Sequence, residues 1–270
     1  MPVSLDPDSR PDKLLAYIKE NKIYCIMNKL FFSFLFLGLV IGFSSISCES
    51  DTNERYQGPT LVCLGDSLTS GYGATAVGEE DRSKSYPAFL QSKIKIPVIN
   101  AGVAGDTTSQ GLSRVDADVL SRNPQIVIIV LGGNDLIPLF LTQQPVSNEQ
   151  LMQALETMQE NLQDIISKID NESRKIFLAK FYTETMARQL AEEVLGENEQ
   201  TALIEAFDAM FTKLATDNDI TLIDDIWQGV WGIPANMSDM THPNAAGYEI
   251  MATNIFNVMQ EYLEANDLLR

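Results

Sequence analysis

The sequence contains a single histidine, His242, three residues after an aspartate in "SDMTHPNAAGYEIMA", residues 238 to 252. An imidazole beside a carboxylate is the usual means of making a hydroxyl nucleophilic at neutral pH. The ring takes the proton as the oxygen attacks, while the carboxylate fixes the tautomer and stabilises the imidazolium that forms. At the spacing Asp239-x-x-His242 both side chains fit in one tight turn, with the carboxylate on the ring nitrogen facing away from the nucleophile. The candidate nucleophile is Ser67, in "LVCLGDSLTSGYG" at 61 to 73, where an apolar run stops at Gly65-Asp66-Ser67. Attack on a carbonyl also needs donors for the oxyanion of the tetrahedral intermediate. The candidates are the backbone N–H of Ser67, the backbone N–H of Gly105 in "NAGVAGDTT" and the side-chain amide of Asn134 in "LGGNDL". Gly65 is read as permitting a sharp exit from its strand, and Gly105 as permitting close backbone approach.

Each of these residues also has an ordinary explanation. Gly-Asp-Ser at a strand end is most often a turn, Asn134 follows two glycines, and His242-Pro243 can simply lead into a helix capped near Asn244. Independent turn residues have no reason, however, to supply a nucleophile, oxyanion donors and an Asp-x-x-His together, and their joint occurrence favours chemistry. Asp66, Asp106 and Asp135 are read as braces of their own loops.

The elements that would position these residues follow from periodicity. Apolar runs occur at "TLVCLG", "IPVINAG", "QIVIIVLGG", "KIFLAKF" and "ITLIDD", with helical spacing between them. In "SNEQLMQALETMQENLQDIISKID" the stripe Leu151, Leu155, Met158, Leu162, Ile165 and Ile169 is that of a packed helix face. Strands alternating with helices imply right-handed crossovers and an α/β fold, a parallel sheet covered on both faces. Ligands of such folds sit beyond the carboxyl ends of the strands, where three of the four polar blocks fall. The fourth precedes the last helix. The stretch from Thr183 to Asp219 reads as two helices broken near Gly196, a candidate flap over the sheet whose mobility the sequence does not decide.

The blocks "GDSLTSGYG", "NAGVAGDTT", "GGND" and "DMTHPNAAGY", in that order, resemble the SGNH (GDSL-type) hydrolase superfamily, especially its branch of arylesterases, lysophospholipases and thioesterases. The resemblance implies a three-layer α/β/α sandwich with a five-stranded parallel sheet, spanning 59–267, and no metal or organic cofactor. It implies Ser67 as nucleophile, Ser67, Gly105 and Asn134 as the oxyanion hole, His242 as base and Asp239 as its orienter. The expected activity is hydrolysis of carboxylic esters or thioesters through an acyl-enzyme, on a small acyl-ester or lipid substrate, by a monomer. Tyr72, Leu136, Ile137, Trp227, Trp231 and Ile233 flank the blocks and are candidates for the acyl site, with core packing as the alternative for each.

Two other functions share these residues. A carbohydrate or peptidoglycan O-acetylesterase would prefer acetyl to octanoyl esters, and a non-catalytic ligand-binding lipoprotein would not label with a serine-directed fluorophosphonate.

The N-terminal region has a different character. Lys29, the apolar run Leu30 to Phe43 and the small residues before Cys48 read as an export signal over 27–47. The run is too short for the roughly 20 residues of a membrane-spanning helix. It resembles a bacterial lipoprotein signal, which implies lipidation at Cys48 and membrane attachment in the cell envelope, with Ser45 departing from the leucine usual there. Residues 1–26 are read as an upstream mis-start and 48–58 as a flexible tether. The chain carries 19 Lys and Arg against 37 Asp and Glu, net −18, which disfavours nucleic acid as a partner. Of three cysteines, Cys63 lies in an apolar strand and is read as a small hydrophobe.

Overall fold

Strand β1, Thr60–Gly65, is buried at every position. Successive side chains of a strand point to opposite faces, so burial without alternation requires cover on both sides. The same holds for β3, Pro124–Val130, in which only Gln125 is partly exposed. With β2, Val98–Gly102, β4, Lys175–Ala179, and β5, Thr221–Ile223, they form a five-stranded parallel sheet in the order β2-β1-β3-β4-β5. Each apolar run of the sequence supplies one strand. The computed structural model describes residues 58–141, 146–171, 173–183, 185 and 197–270. The proposed mis-start, export signal, Cys48 and all but the last residue of the tether lie outside the described residues.

The helices are α1, Ser67–Ser70; α2, Tyr86–Gln91; α3, Thr108–Ser113; α4, Val115–Asp118; α5, Gly133–Leu141; α6, Asn148–Ile169; α7, Glu197–Asp217; and α8, Ala245–Ala265. They pack in two groups: α2 lies against α8, while α6 contacts α3, α4, α5 and α7. Helix α6 starts at a capping box in which Ser147 and Gln150 bond each other's backbone N–H, and its six-residue apolar stripe is buried together with Ile166. Each such side chain contributes about 1.5–3 kcal/mol before ordering costs. Helix α8 starts at Asn244, whose side chain accepts from Gly247 N–H, and buries Tyr248, Met251, Ile255, Met259 and Leu263.

One expectation changes here. The region read as a flap over the sheet is, from Glu197 to Asp217, helix α7, whose Leu203, Phe207, Phe211 and Leu214 are 0–3% exposed in the core. It follows β4 and precedes β5 in the chain and packs against β5 and α6, covering the apolar face at that edge of the sheet. The break near Gly196 lies outside the described residues.

The exit from β1 depends on space more than on conformation. Gly65 does not have a left-handed backbone; a Cβ there would lie 1.9 Å from Thr69 Oγ1 and 2.7 Å from the carbonyl oxygen of Val130. The returning α1 turn and the neighbouring strand therefore fill the place of any side chain. Gly65→Ala is expected to destabilise the fold by about 3 kcal/mol, the upper range for forced overpacking. That lowers Tm by about 6–12 °C for a domain of this size, read from a circular-dichroism melt. An unchanged Tm would refute this account of Gly65.

Candidate active site

The strand order switches direction between the neighbouring strands β1 and β3, since the chain runs from β1 outward to β2 and from β3 outward to β4, and the crevice beyond such strand ends is where α/β sheets bind ligands. Ser67 follows β1, Gly105 follows β2 and Asn134 follows β3, so the sheet order brings the three loops side by side.

The serine loop is held by its own backbone. The Asp66 carboxylate accepts from Leu68 N–H at 2.9 Å, and the Asp66 carbonyl accepts from Thr69 and Ser70 N–H. The Ser67 N–H starts α1 and donates to no protein acceptor among the described residues. Asp66 is 3% exposed, and burial pushes its carboxyl up to about 7 against the opposing pull of the Leu68 N–H. From the other side, the Tyr248 hydroxyl donates to the carbonyls of Tyr72, at 2.7 Å, and Ser67, at 3.3 Å. Tyr248 is not among the residues that the sequence motifs single out. Its signal was a tyrosine one turn into the last helix, close after His242.

The Asp239–His242 turn closes as the spacing predicts. Asp239 Oδ1 accepts the backbone N–H of Thr241 and of His242, both at 2.8 Å. The same carboxylate lies 2.9 and 3.0 Å from His242 Nδ1, and His242 Nε2 is 3.1 Å from Ser67 Oγ. Burial raises the Asp239 carboxyl, but hydrogen bonds from the imidazole and the two N–H groups, together with attraction to the ring, outweigh it and bring it down to about 2. The carboxylate is thus ionised wherever the protein is folded at ordinary pH. The Tyr72 ring lies 4.7 Å from the imidazole, centroid to centroid, so this candidate acyl-site residue packs on the His242 ring. Gly73 permits that approach, because a Cβ there would stand 3.0 Å from His242 Cβ.

The oxyanion candidates occupy the adjoining loops. Gly105 has φ +88°, a backbone that side chains resist, and a Cβ there would meet nothing within 4 Å. The glycine is thus required by conformation, a different reason from the close approach read in the sequence. Its N–H donates to no protein acceptor among the described residues. The Asn134 amide nitrogen donates to the Asp106 carbonyl at 2.9 Å and, in a long contact of 3.4 Å, to Asp66 Oδ2. An oxyanion in this crevice would exchange with the long contact while the short one holds the amide in place. Asp135 braces the same loops: its carboxylate accepts from Thr108 N–H at 2.9 Å and Thr108 Oγ1 at 2.5 Å, and Asn161 of α6 donates to that hydroxyl.

The apolar candidates divide. Leu136 is 6% exposed and Trp227 is 2% exposed; both belong to the core, and Trp227 Nε1 donates to the Phe181 carbonyl at 2.8 Å. Trp231 packs edge-on against Trp227 and is partly buried. Ile137 and Ile233 stay exposed, at 45% and 41%. Val103 and Met240, exposed on loops of the same blocks, were not among the sequence candidates because single apolar residues in polar segments carry no periodic signal. No cluster of three or more His, Cys, Asp or Glu is placed to hold a metal ion among the described residues.

Comparison with known proteins gives a consistent picture. The model of the GDSL-like lipase/acylhydrolase family matches residues 63–250. The chain is 35% identical over 188 residues to thioesterase 1/protease 1/lysophospholipase L1 of Escherichia coli K12, covering 68% of this chain and 76% of that protein. It is 27% identical over 210 residues to the esterase TesA of Pseudomonas aeruginosa, covering 76% and 89%. The crystal structure of TesA superposes with a TM-score of 0.58 at 26% identity, over 75% of this chain and 98% of that one.

Proposed function

Because the chain belongs to the GDSL-like lipase/acylhydrolase family and is a carboxylic ester hydrolase, we propose that it acts on acyl esters or thioesters through an acyl-enzyme on Ser67. The observation that carries this reading is the relay in which His242 Nε2 stands 3.1 Å from Ser67 Oγ while Nδ1 is held by the Asp239 carboxylate.

In the first half-reaction Ser67 Oγ bonds to the acyl carbon as its proton passes to Nε2. The carbonyl electrons move onto oxygen, which accepts from the N–H groups of Ser67 and Gly105 and the Asn134 amide. Collapse of the tetrahedral intermediate breaks the bond to the alcohol or thiol, which leaves with the proton from Nε2. Water then attacks the acyl-enzyme, giving its proton to the same nitrogen, and the acid departs as Oγ takes the proton back. Asp239 stays ionised throughout and balances the imidazolium.

The substrate class is supported by the names of the relatives, which include a lysophospholipase, a thioesterase and an esterase. Exposed apolar side chains on the loops of the site blocks suit an acyl chain. A fluorophosphonate probe is expected to place one phosphonyl group on Ser67, found by mass spectrometry of the labelled peptide, with activity lost in proportion. Full activity after labelling, or a label elsewhere with Ser67 unmodified, would refute the acyl-enzyme.

A further inference from the structure

We propose that Arg114 is the positioning residue of the oxyanion hole, one guanidinium tying the end of the nucleophile strand to the loop of Gly105 and, through Asp106, to the amide of Asn134. The inference rests on the serine-hydrolase reading and names a residue to which that reading gives no role.

Arg114 lies between α3 and α4, with its side chain 15% exposed. Nη2 donates to the Gly65 carbonyl at 2.8 Å, two residues before Ser67. Nη1 donates to the Ala101 carbonyl at the end of β2, at 2.7 Å, and to Asp118 Oδ2 at 3.1 Å. Nε donates at 2.6 Å to Asp106 Oδ2, whose side chain is 10% exposed and which follows Gly105 directly. The backbone carbonyl of that same Asp106 accepts from Asn134 Nδ2 at 2.9 Å. All three oxyanion donors are therefore within one or two residues, or one hydrogen bond, of a group that Arg114 or its partner Asp106 holds.

The planar fork explains the residue type. Carbonyls at two strand ends and a carboxylate lie in different directions from one point, and only a guanidinium offers rigid donors toward all of them. A lysine keeps the charge and loses that geometry. Preorganised donors act on the transition state without reorganising, and a displacement of about 1 Å costs on the order of 10²-fold in rate. The loss falls on kcat, because these donors strengthen only as charge develops on the oxygen.

The test compares the full chain with Arg114→Lys and Asp106→Asn. It measures kcat and KM on a p-nitrophenyl ester per active site titrated to completion with a fluorophosphonate, together with Tm. Expected for both variants are a kcat per titrated site lower by about 30- to 100-fold and a KM within about threefold of wild type. Inhibition by a boronic acid, which forms a tetrahedral adduct on the serine, should weaken in step with kcat/KM. A merely structural role would lower Tm and the number of titratable sites but leave kcat per site and boronate affinity at wild-type values, which would overturn the proposal. If Arg114→Lys does not fold, Asp106→Asn decides by the same readings, and failure of both to fold would overturn it by making the pair a folding requirement. A wild-type chain that neither hydrolyses the ester nor takes the probe would refute the serine-hydrolase reading instead, and this inference with it.

Discussion

Replacing Ser67 with alanine is expected to lower kcat for p-nitrophenyl ester hydrolysis by about 10⁵- to 10⁶-fold, the scale seen when a serine nucleophile is removed from an otherwise intact site. The reason is chemical. Without Oγ there is no acyl-enzyme, and water must attack the ester directly with only the oxyanion donors and substrate binding to help, which leaves about 10³- to 10⁴-fold over solution. The fold should not respond, because the Ser67 hydroxyl faces His242 Nε2 and the loop is held by the Asp66 carboxylate and by backbone bonds that alanine keeps. Matching far-ultraviolet circular dichroism and Tm would certify the comparison. Retention of more than a few per cent of wild-type turnover would exclude Ser67 as the nucleophile.

The second large effect is that of Asp239→Asn, expected to reduce kcat by about 10³- to 10⁴-fold. Here the local backbone decides the outcome. Asp239 Oδ1 accepts two backbone N–H groups, from Thr241 and His242, so an asparagine must keep its oxygen there. Its amide nitrogen then faces His242 Nδ1, where Oδ2 stood at 2.9 Å. Two donors repel across that contact, and the retained amide oxygen, 3.0 Å from Nδ1, is neutral and already accepts two N–H groups, so the favoured tautomer has Nδ1 accepting from the amide and the ring proton on Nε2, where Nε2 can no longer take the proton of Ser67. The pH profile sharpens the test. The Asp239 carboxyl is brought down to about 2, so in wild type it contributes no limb to kcat/KM above about pH 3, and the acid limb belongs to other groups. The sign for stability follows. A carboxyl depressed in the fold stabilises above its unfolded value and loses that contribution as pH falls toward about 2, so acid unfolding of Asp239→Asn should set in less steeply than in wild type. Asp66 has the opposite sign: raised by burial to about 7, it contributes stability at low pH that is lost as pH rises from about 4 to 7. An Asp239→Asn enzyme with more than a tenth of wild-type kcat would show that the tautomer argument fails.

Much of this was legible before the structure. Apolar runs without alternation marked the buried strands, and the three- and four-residue spacing of the Leu151 to Ile169 stripe marked α6, because burial imposes the period of the element on the sequence. The Asp239–His242 pairing was also legible, since both ends of that contact lie in one turn. The chemistry of a lone histidine narrowed the search for a candidate nucleophile, and the order of the blocks pointed to Ser67, whose Oγ lies 3.1 Å from His242 Nε2. Leu136 and Ile137 were not separable: adjacent apolar residues at the start of a helix look alike in sequence, and rotation about the helix axis sends one to the core and the other to solvent. Tyr72 likewise gave no sign in the sequence that its ring packs, tilted by 56°, against the imidazole of His242.

The sequence by itself determined the elements, the local turns and the residue types able to do the chemistry, because those depend on periodicity and on contacts between near neighbours. The tertiary structure alone decided the order β2-β1-β3, which sets the loops of Ser67, Gly105 and Asn134 side by side. It also decided that Gly65 is required by the approach of Thr69 and Val130 and that Gly105 is required by its left-handed backbone. Above all it decided that Arg114, an unremarked basic residue between two short helices, reaches the carbonyls of Gly65 and Ala101 and the carboxylate of Asp106. Those acceptors lie up to 49 residues away in the chain. Only the packing of β1 beside β2 brings them within one guanidinium's reach.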